Sequence, residues 1–143
     1  MTVRVSRAFE FDAPPEAVWE FIADPGRRAE AISVVESYDV DPETNEATWE
    51  VSLPIPLVRS TATVETEDVE RDPPRFVRFV GTSKVMRVTG EHTIEKTETG
   101  SRLRNEFVVD GKLPGVESFF KRNLDRELDN LEAALRADLE STA

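Results

Sequence analysis

The chain has one histidine, His92, and its chemistry is the easiest to name. An imidazole titrates near neutral pH, so it can act as a general acid or base, or hold a ligand through a hydrogen bond. Alternation along the surrounding segment places His92 on the same face as Met86, Val88 and Ile94, and we expect this face to point inward. The alternative is a buried histidine that a neighbouring side chain satisfies.

Asn105 is a second polar residue on an inward face, that of the last predicted strand. A buried amide without partners costs roughly 1–3 kcal/mol, so we expect it to be satisfied. It either bonds to His92 or to the C-terminal helix, or it faces a cavity that holds ligand or water. Tyr38 and Asn123 raise the same question.

Apolar and aromatic residues on the inward faces are either the wall of a ligand pocket or an ordinary core, and strand parity does not distinguish the two. The residues predicted to bind a ligand are Tyr38, Trp49, Val51, Phe79, Met86, Val88, His92, Asn105, Phe107, Phe119, Phe120 and Asn123. Arg7 and Arg78 would hold an anionic ligand if they entered the interior, although burying an unpaired arginine is costly.

Composition argues against several other kinds of site. The sequence has no cysteine, which excludes disulfides and thiolate chemistry. One histidine and no spaced cluster of carboxylates leave no candidate metal site. There is no glycine-rich phosphate loop and no Gly-x-Ser-x-Gly elbow. We therefore expect neither a metal nor a cofactor.

The net charge of −11 makes nucleic acid an unlikely partner, because phosphate contacts need a basic stripe. Four lysines against fourteen arginines, in so acidic a chain, indicate a salt-loving source, where the surface charge is screened. No segment approaches the roughly 20 apolar residues of a membrane span. The segment Met1–Phe9 lacks the apolar core of a signal peptide. We expect a cytoplasmic protein without stable membrane insertion.

Two features of the pattern predict how these residues are positioned. The 143 residues suit a single domain spanning 1–143. From Gly115 to about Glu140 apolar residues recur every three or four positions, which predicts one long amphipathic helix. Short alternating segments fill most of the chain between Ser33 and Lys112, which predicts strands joined by tight turns.

The remaining elements follow from turn and cap signals. A first strand of alternating residues ends near Phe11, and a short helix after Pro15 packs Val18, Trp19 and Ile22 inward. Asp24 caps a second short helix that runs through Ile32. The later strands are predicted at Ser33–Val40, Ala47–Ile55, Val58–Thr66, Arg75–Gly81, Met86–Ile94 and Leu103–Val109.

The order β-α-α-β-β-β-β-β-β-α predicts an α+β fold, in which a curved antiparallel sheet buries the apolar face of the last helix. Pro54 and Pro56 cannot donate hydrogen bonds to a neighbouring strand, so they indicate an edge or a bend. Such an arrangement tends to leave a cavity between sheet and helix.

The segment from Phe9 to Pro25 (FEFDAPPEAVWEFIADP) resembles the opening of the START-like, or SRPBCC (birch-pollen-allergen-like), superfamily. The segment from Gly111 to Leu124 fits the entry to the last helix of that superfamily. Within it, the run from Ala31 to Tyr38 and the Gly-Lys-Leu entry are similar to proteins related to the G subunit of carbon monoxide dehydrogenase. Polyketide cyclase/dehydratase-like proteins belong to the same superfamily.

The resemblance implies a helix-grip fold: a seven-stranded antiparallel sheet, two short helices, and a long C-terminal helix over a hydrophobic tunnel. It implies binding or transport of a lipophilic small molecule such as a lipid, a quinone or a polyketide-like compound. Relatives of the dehydrogenase protein often carry a membrane-reaching tail, and this chain stops at Ala143 directly after the helix, so we expect no anchor.

The leading hypothesis is therefore a non-enzymatic carrier of a hydrophobic small molecule. One alternative is a polyketide cyclase/dehydratase-like enzyme that uses His92. Another is an assembly factor for a carbon monoxide dehydrogenase-type hydroxylase, which would act on an unknown protein partner through its outer surface.

Overall fold

The computed structural model describes residues 2–55 and 61–141. The elements, in chain order, are β1 (Thr2–Phe11), α1 (Pro15–Ile22), α2 (Pro25–Glu30), β2 (Val35–Asp41), β3 (Glu46–Val51), β4 (Ala62–Asp72), β5 (Phe76–Thr82), β6 (Met86–Lys96), β7 (Ser101–Gly111) and α3 (Val116–Ser141).

The strands form one seven-stranded sheet in the order β1-β7-β6-β5-β4-β3-β2, and all neighbouring strands pair antiparallel. Along β6 and β7 buried residues alternate with more exposed ones, as expected of strands with one covered face. The element order and the helix-grip architecture predicted from the sequence are confirmed. The inner face of this sheet supplies most of the candidate site.

The long helix α3 turns its apolar stripe toward the sheet, and its bounds match the predicted ones within a residue. Gly115, directly before it, has φ +95°, a conformation that a glycine adopts without strain. Phe120, Leu124, Leu128, Leu131 and Leu135 are buried along one face. The strands nearest to α3 are β1 and β7, at one edge of the sheet. The backbone of α3 therefore lies farther from the middle strands, and side chains occupy most of the space between them.

The two short helices occupy the predicted places with small differences. The Asp24 carboxylate accepts hydrogen bonds from the backbone N–H groups of Gly26 and Arg27, so the predicted cap is confirmed. The helix it caps ends at Glu30 rather than Ile32. Trp19 is only partly buried, whereas Phe21 of the same helix is in the core. The prediction that Trp19 packs inward was therefore only partly right, since its ring lies beside the Arg71 guanidinium.

Several predicted strand boundaries move by a few residues. The second strand begins at Val35 rather than Ser33. The backbone N–H of Ser33 donates to the Glu127 carboxylate of α3 instead of pairing with a neighbouring strand. The third strand ends at Val51, although Leu53 and Ile55 beyond it are buried as expected. The predicted residues Pro56, Val58 and Ser60 lie outside the described ones. No helix within the described residues is long and apolar enough to cross a membrane.

Candidate functional site

A cavity lies between the inner face of the sheet and α3. Its lining is apolar except for one carboxylate, that of Glu127 on α3. The predicted ligand-binding residues that line it are Trp49, Val51, Phe79, Met86, Val88, Phe107 and Phe120. The lining residues that were not among those predicted are Ile32, Val34, Val35, Val109, Leu124 and Glu127. An enclosure of this kind favours an apolar guest over a charged one.

The cavity is narrow and comes closest to solvent at one place. Its volume, taken as the space open to the centre of a water molecule, is about 40 Å³. One water needs roughly 10–15 Å³ on that measure, so the interior is not completely filled by side chains. Ile32, Val34 and Val35 are the half-buried members of the lining, and the other members are buried. The mouth of the cavity therefore lies at the connection between α2 and β2.

Glu127 of α3 is hydrogen-bonded to the connection between α2 and β2. One of its carboxylate oxygens accepts the backbone N–H of Ser33 at 2.7 Å, and the other accepts the Ser33 hydroxyl. Glu127 is itself buried, so these two hydrogen bonds replace water that its charge would otherwise hold. The pair joins the mouth of the cavity to α3.

Phe79 and Phe107 are two aromatic residues of the lining, and a glycine leaves room for their rings to meet. Gly90 on β6 pairs with Phe79 on one side and Phe107 on the other. A Cβ atom at Gly90 would lie 2.2 Å from the Phe79 ring, so only a glycine leaves room for the ring there. The two rings meet edge to face with centroids 6.2 Å apart. Together they separate the cavity from the polar groups one pleat further along the sheet.

The polar group directly behind these rings is His92. Its Nδ1 lies 2.7 Å from Oδ1 of Asn105, while Nδ2 of Asn105 donates to the carbonyl of Arg7. Because the Asn105 oxygen accepts, the neutral imidazole carries its proton on Nδ1 and leaves Nε2 as a bare acceptor. Nε2 is buried and has no partner in the described part of the chain. The expectation that Asn105 bonds to His92 agrees with this geometry.

The surroundings of His92 disfavour its charged form. The side chain is 1% exposed and lies between the Phe79 ring, stacked at 6.2 Å, and the Phe107 ring at 5.5 Å. Burial, and then the positive charge of Arg28, lower the pKa of His92 to about 3, against a smaller opposing effect of the Asn105 hydrogen bond. The imidazole is therefore neutral throughout the physiological range, and two aromatic rings keep it from the cavity.

Arg28 and Asp68 form a buried ion pair beside the Phe79 ring. The guanidinium donates to Oδ1 of Asp68 and, at 3.1 Å, to the carbonyl of Ile22, and its central carbon lies 5.0 Å from the Phe79 ring centroid. Burial lowers the pKa of Arg28, and the carboxylate of Asp68 counteracts that effect. The register of β4 against β5 shifts between Asp68 and Glu70. The sequence pattern carries no signal of this pair.

Five of the predicted ligand-binding residues lie outside the cavity lining. His92 and Asn105 form the sealed pair just described. Tyr38 is 37% exposed on the edge strand β2, and its hydroxyl donates to Glu30. Asn123 donates to the carbonyl of Phe119 within α3, at 2.8 Å. Phe119 is partly buried and meets the ring of Phe120 edge to face.

The two arginines considered for an anionic ligand are engaged elsewhere. Arg7 lies on the helix-facing side of β1, as its parity predicts, and its guanidinium pairs with Asp125 and Asp129 of α3. Arg78 pairs with Glu70 and Glu91 on the outer face of the sheet. Neither lines the cavity. Among the residues that the structure describes, no three histidine or acidic side chains are grouped to hold a metal ion.

Some of the missed lining residues carried a signal in the sequence. Val109 follows the same parity as Phe107, and Leu124 continues the helical stripe of Phe120. Glu127 interrupts that stripe with a charge, which is a recognisable sign of a satisfied or functional carboxylate. At the mouth, Ile32 and Val34 precede β2 and Val35 is its first residue. Val34 and Val35 fell inside the strand predicted at Ser33–Val40 but were not assigned to the site.

Known structures share this architecture. The Zhui aromatase/cyclase from Streptomyces sp. R1128 matches with a TM-score of 0.77 at 14% identity, covering 100% of this chain and 97% of that one. A START superfamily protein from Mycobacterium smegmatis matches at 0.74 and 14%, covering 98% and 99%. A protein from Thermus thermophilus matches at 0.69 and 20%, covering 96% and 98%. At these identities the likeness shows the fold alone.

The sequence itself matches a family model. No curated protein matches the chain, but the model described as polyketide cyclase / dehydrase and lipid transport matches residues 2–136. Together with the START neighbour, this match confirms the START-like resemblance noted in the sequence. The chain belongs to the polyketide cyclase/dehydrase and lipid transport family.

Proposed function

We propose that this protein binds a lipophilic small molecule in the cavity between the sheet and α3. The observation that carries the proposal is the lining, which is apolar but for Glu127 and the indole N–H of Trp49 and draws on five strands, the α2–β2 connection and α3. Burying apolar ligand surface there contributes about 25 cal/mol per Å², so about 200 Å² would give roughly 5 kcal/mol before the costs of association. The family, which includes lipid transport, supports the same class of ligand.

Binding requires the cavity to widen. At about 40 Å³ it accepts the centres of only a few water molecules, so a ring system or an acyl chain has to displace its walls. Met86 in the lining has a flexible side chain that repacks at low cost. The mouth residues Ile32, Val34 and Val35 are only half-buried, so they have the most room to move.

The structure gives no support to His92 as the general acid or base of a cyclase. A group with that role has to reach the substrate within hydrogen-bond distance and exchange protons near neutral pH. The rings of Phe79 and Phe107 lie between His92 and the cavity, and the pKa of His92 is lowered to about 3. We therefore propose binding rather than catalysis through this residue.

A neutral lipophilic probe, N-phenyl-1-naphthylamine, tests the proposal by fluorescence titration. We expect saturable binding, and native mass spectrometry of the freshly purified protein should show a bound species. Val35→Phe at the mouth should weaken probe binding at least tenfold by filling the opening. Val69→Phe is the matched control, because Val69 is 48% exposed and is not part of the lining.

If the probe does not saturate and no species accompanies the purified protein, the cavity is not a binding site. If Val35→Phe and Val69→Phe affect the probe equally, the ligand binds somewhere other than this cavity.

A further inference from the structure

One residue of the cavity wall carries a polar atom without a partner. Trp49 lines the cavity and is buried, and its indole Nε1 has no hydrogen-bond partner in the described part of the chain. An indole N–H donates and cannot accept. A buried donor without an acceptor is unfavourable, and in native proteins such atoms usually have a partner. The missing partner of Trp49 is an acceptor.

Nothing else in the lining supplies that acceptor or competes for it. Besides Trp49, the described lining residues are apolar except Glu127, and both carboxylate oxygens of Glu127 already accept from Ser33. The ring of Trp49 lies against that of Phe79, another residue of the lining, with 5.9 Å between their centroids. Because Nε1 is itself buried, a molecule reaches it only when the cavity widens at the Trp49 ring, and its own atoms then supply the acceptor.

We infer that the ligand is a neutral, largely apolar molecule that carries a carbonyl-type oxygen, and that this oxygen accepts a hydrogen bond from Nε1 of Trp49. The inference rests on the proposed function, since it assigns a ligand class to the same cavity. It distinguishes a ketone, quinone or ester from a pure hydrocarbon, which would leave the donor unmatched, and from a carboxylate.

Charge is the reason that a carboxylate is disfavoured. The one charged group in the described lining is Glu127, which is negative, and no lysine or arginine is among these residues. The chain as a whole carries −11. An anionic head group would enter an apolar space beside a like charge, with no cation to compensate. A carbonyl oxygen accepts the indole hydrogen bond without that cost.

Three naphthalenes of similar size test the inference by displacement of N-phenyl-1-naphthylamine: 2-acetylnaphthalene, 2-ethylnaphthalene and 2-naphthoate. The wild-type protein should bind the ketone roughly 2- to 10-fold more tightly than the hydrocarbon, the range expected of one hydrogen bond. The carboxylate should bind more weakly than both. Trp49→Phe should reduce the preference for the ketone to near unity.

The second tryptophan provides a matched control. Trp19 is partly buried beside Arg71 and is not part of the lining, so Trp19→Phe should leave the preference unchanged. The wild-type protein also gives a readout that needs no variant. Infrared spectra of 2-acetylnaphthalene labelled with ¹³C at the carbonyl should show a stretching frequency lower in the complex than in an alkane, because the oxygen accepts a hydrogen bond.

The outcomes separate this inference from the function it rests on. If the ketone and the hydrocarbon bind equally well and the bound carbonyl frequency matches that in alkane, the inference is wrong while binding in the cavity stands. If 2-naphthoate binds best, the ligand class is anionic and the inference is also wrong. If neither the probe nor any naphthalene binds, the proposed function itself fails.

Discussion

An acid titration should show that the buried imidazole of His92 stays neutral well below its usual pKa. An unfolded histidine titrates near 6.5, whereas burial and the charge of Arg28 lower the pKa of His92 to about 3 in the fold. Between those two values the unfolded chain binds a proton that the folded chain does not. The contribution of His92 to stability is therefore complete above about pH 6.5 and is lost as the pH falls toward 3.

The magnitude follows from the distance between the two pKa values. That distance is about 3.5, and each pH unit corresponds to about 1.4 kcal/mol, so the whole effect is on the order of 5 kcal/mol. At about pH 4 roughly 3 kcal/mol should already be lost. Carboxylates also titrate there, so the effect of the histidine is the difference between wild type and His92→Gln, each unfolded in urea at pH 7 and at pH 4 in the same salt.

NMR gives the direct assay, because the chain has a single histidine. The Cε1–Hε1 signal of His92 should stay constant from pH 7.5 to 4.5, and its ¹⁵N shifts should report a proton on Nδ1, the atom 2.7 Å from the Asn105 oxygen. A titration midpoint near 6.5 would refute the reasoning, since the ring would then be in contact with water. A proton on Nε2 would refute the assigned hydrogen bond alone.

Three further substitutions test the parts of the interior that shape the cavity. Asp68→Asn should lower the free energy of unfolding in urea by about 3–5 kcal/mol, because it leaves the buried guanidinium of Arg28 without its counter-charge. Asp129→Asn, in an exposed pair, should lower it by less than about 1 kcal/mol. Equal losses in the two variants would contradict the burial of the Arg28–Asp68 pair. Gly90→Ala should lower the free energy of unfolding by about 1–3 kcal/mol and weaken probe binding, because the new methyl group displaces the Phe79 ring. Unchanged probe binding would show that the Phe79 ring is not part of the cavity wall. Glu127→Ala should lower the free energy of unfolding by about 1–3 kcal/mol and speed hydrogen exchange of the Ser33 backbone amide, which donates to the carboxylate. Unchanged exchange would mean that other contacts protect this amide.

The sequence predicts the framework well because periodicity and caps are local signals. The stripe of α3 and the alternation of β6 and β7 each depend on spacing alone, and Asp24 caps its helix through atoms two and three residues away. The inward orientation of His92 and Asn105 follows from the same parity. Their hydrogen bond was one of two alternatives, and the register that pairs the two residues across β6 and β7 decides between them.

The parts that escaped prediction depend on contacts between distant segments. Tyr38 has a polar end and a sequence position that suit a ligand site, yet the edge strand β2 places it at the surface, beside Glu30. Arg28 and Asp68 are 40 residues apart, and only the assembled fold brings them together. Glu127 and Ser33 likewise meet across 94 residues, so no local pattern indicates that the mouth is fastened to α3.

Phe79 lies between two kinds of buried neighbour, the apolar lining of the cavity and the polar side chains of His92 and Arg28. Two of its neighbours, Trp49 and Phe107, line the cavity with it, while two others, His92 and Arg28, are buried and are not part of the lining. The Phe79 ring is part of the lining, whereas the Arg28–Asp68 pair and the unmatched imidazole nitrogen of His92 are not. If the proposed ligand occupies the widened cavity, the indole N–H of Trp49 is the one side-chain hydrogen-bond donor among the described lining residues. Selectivity in this cavity should therefore depend on a single hydrogen bond and on shape, and substitutions behind Phe79 should change stability far more than they change the choice of ligand.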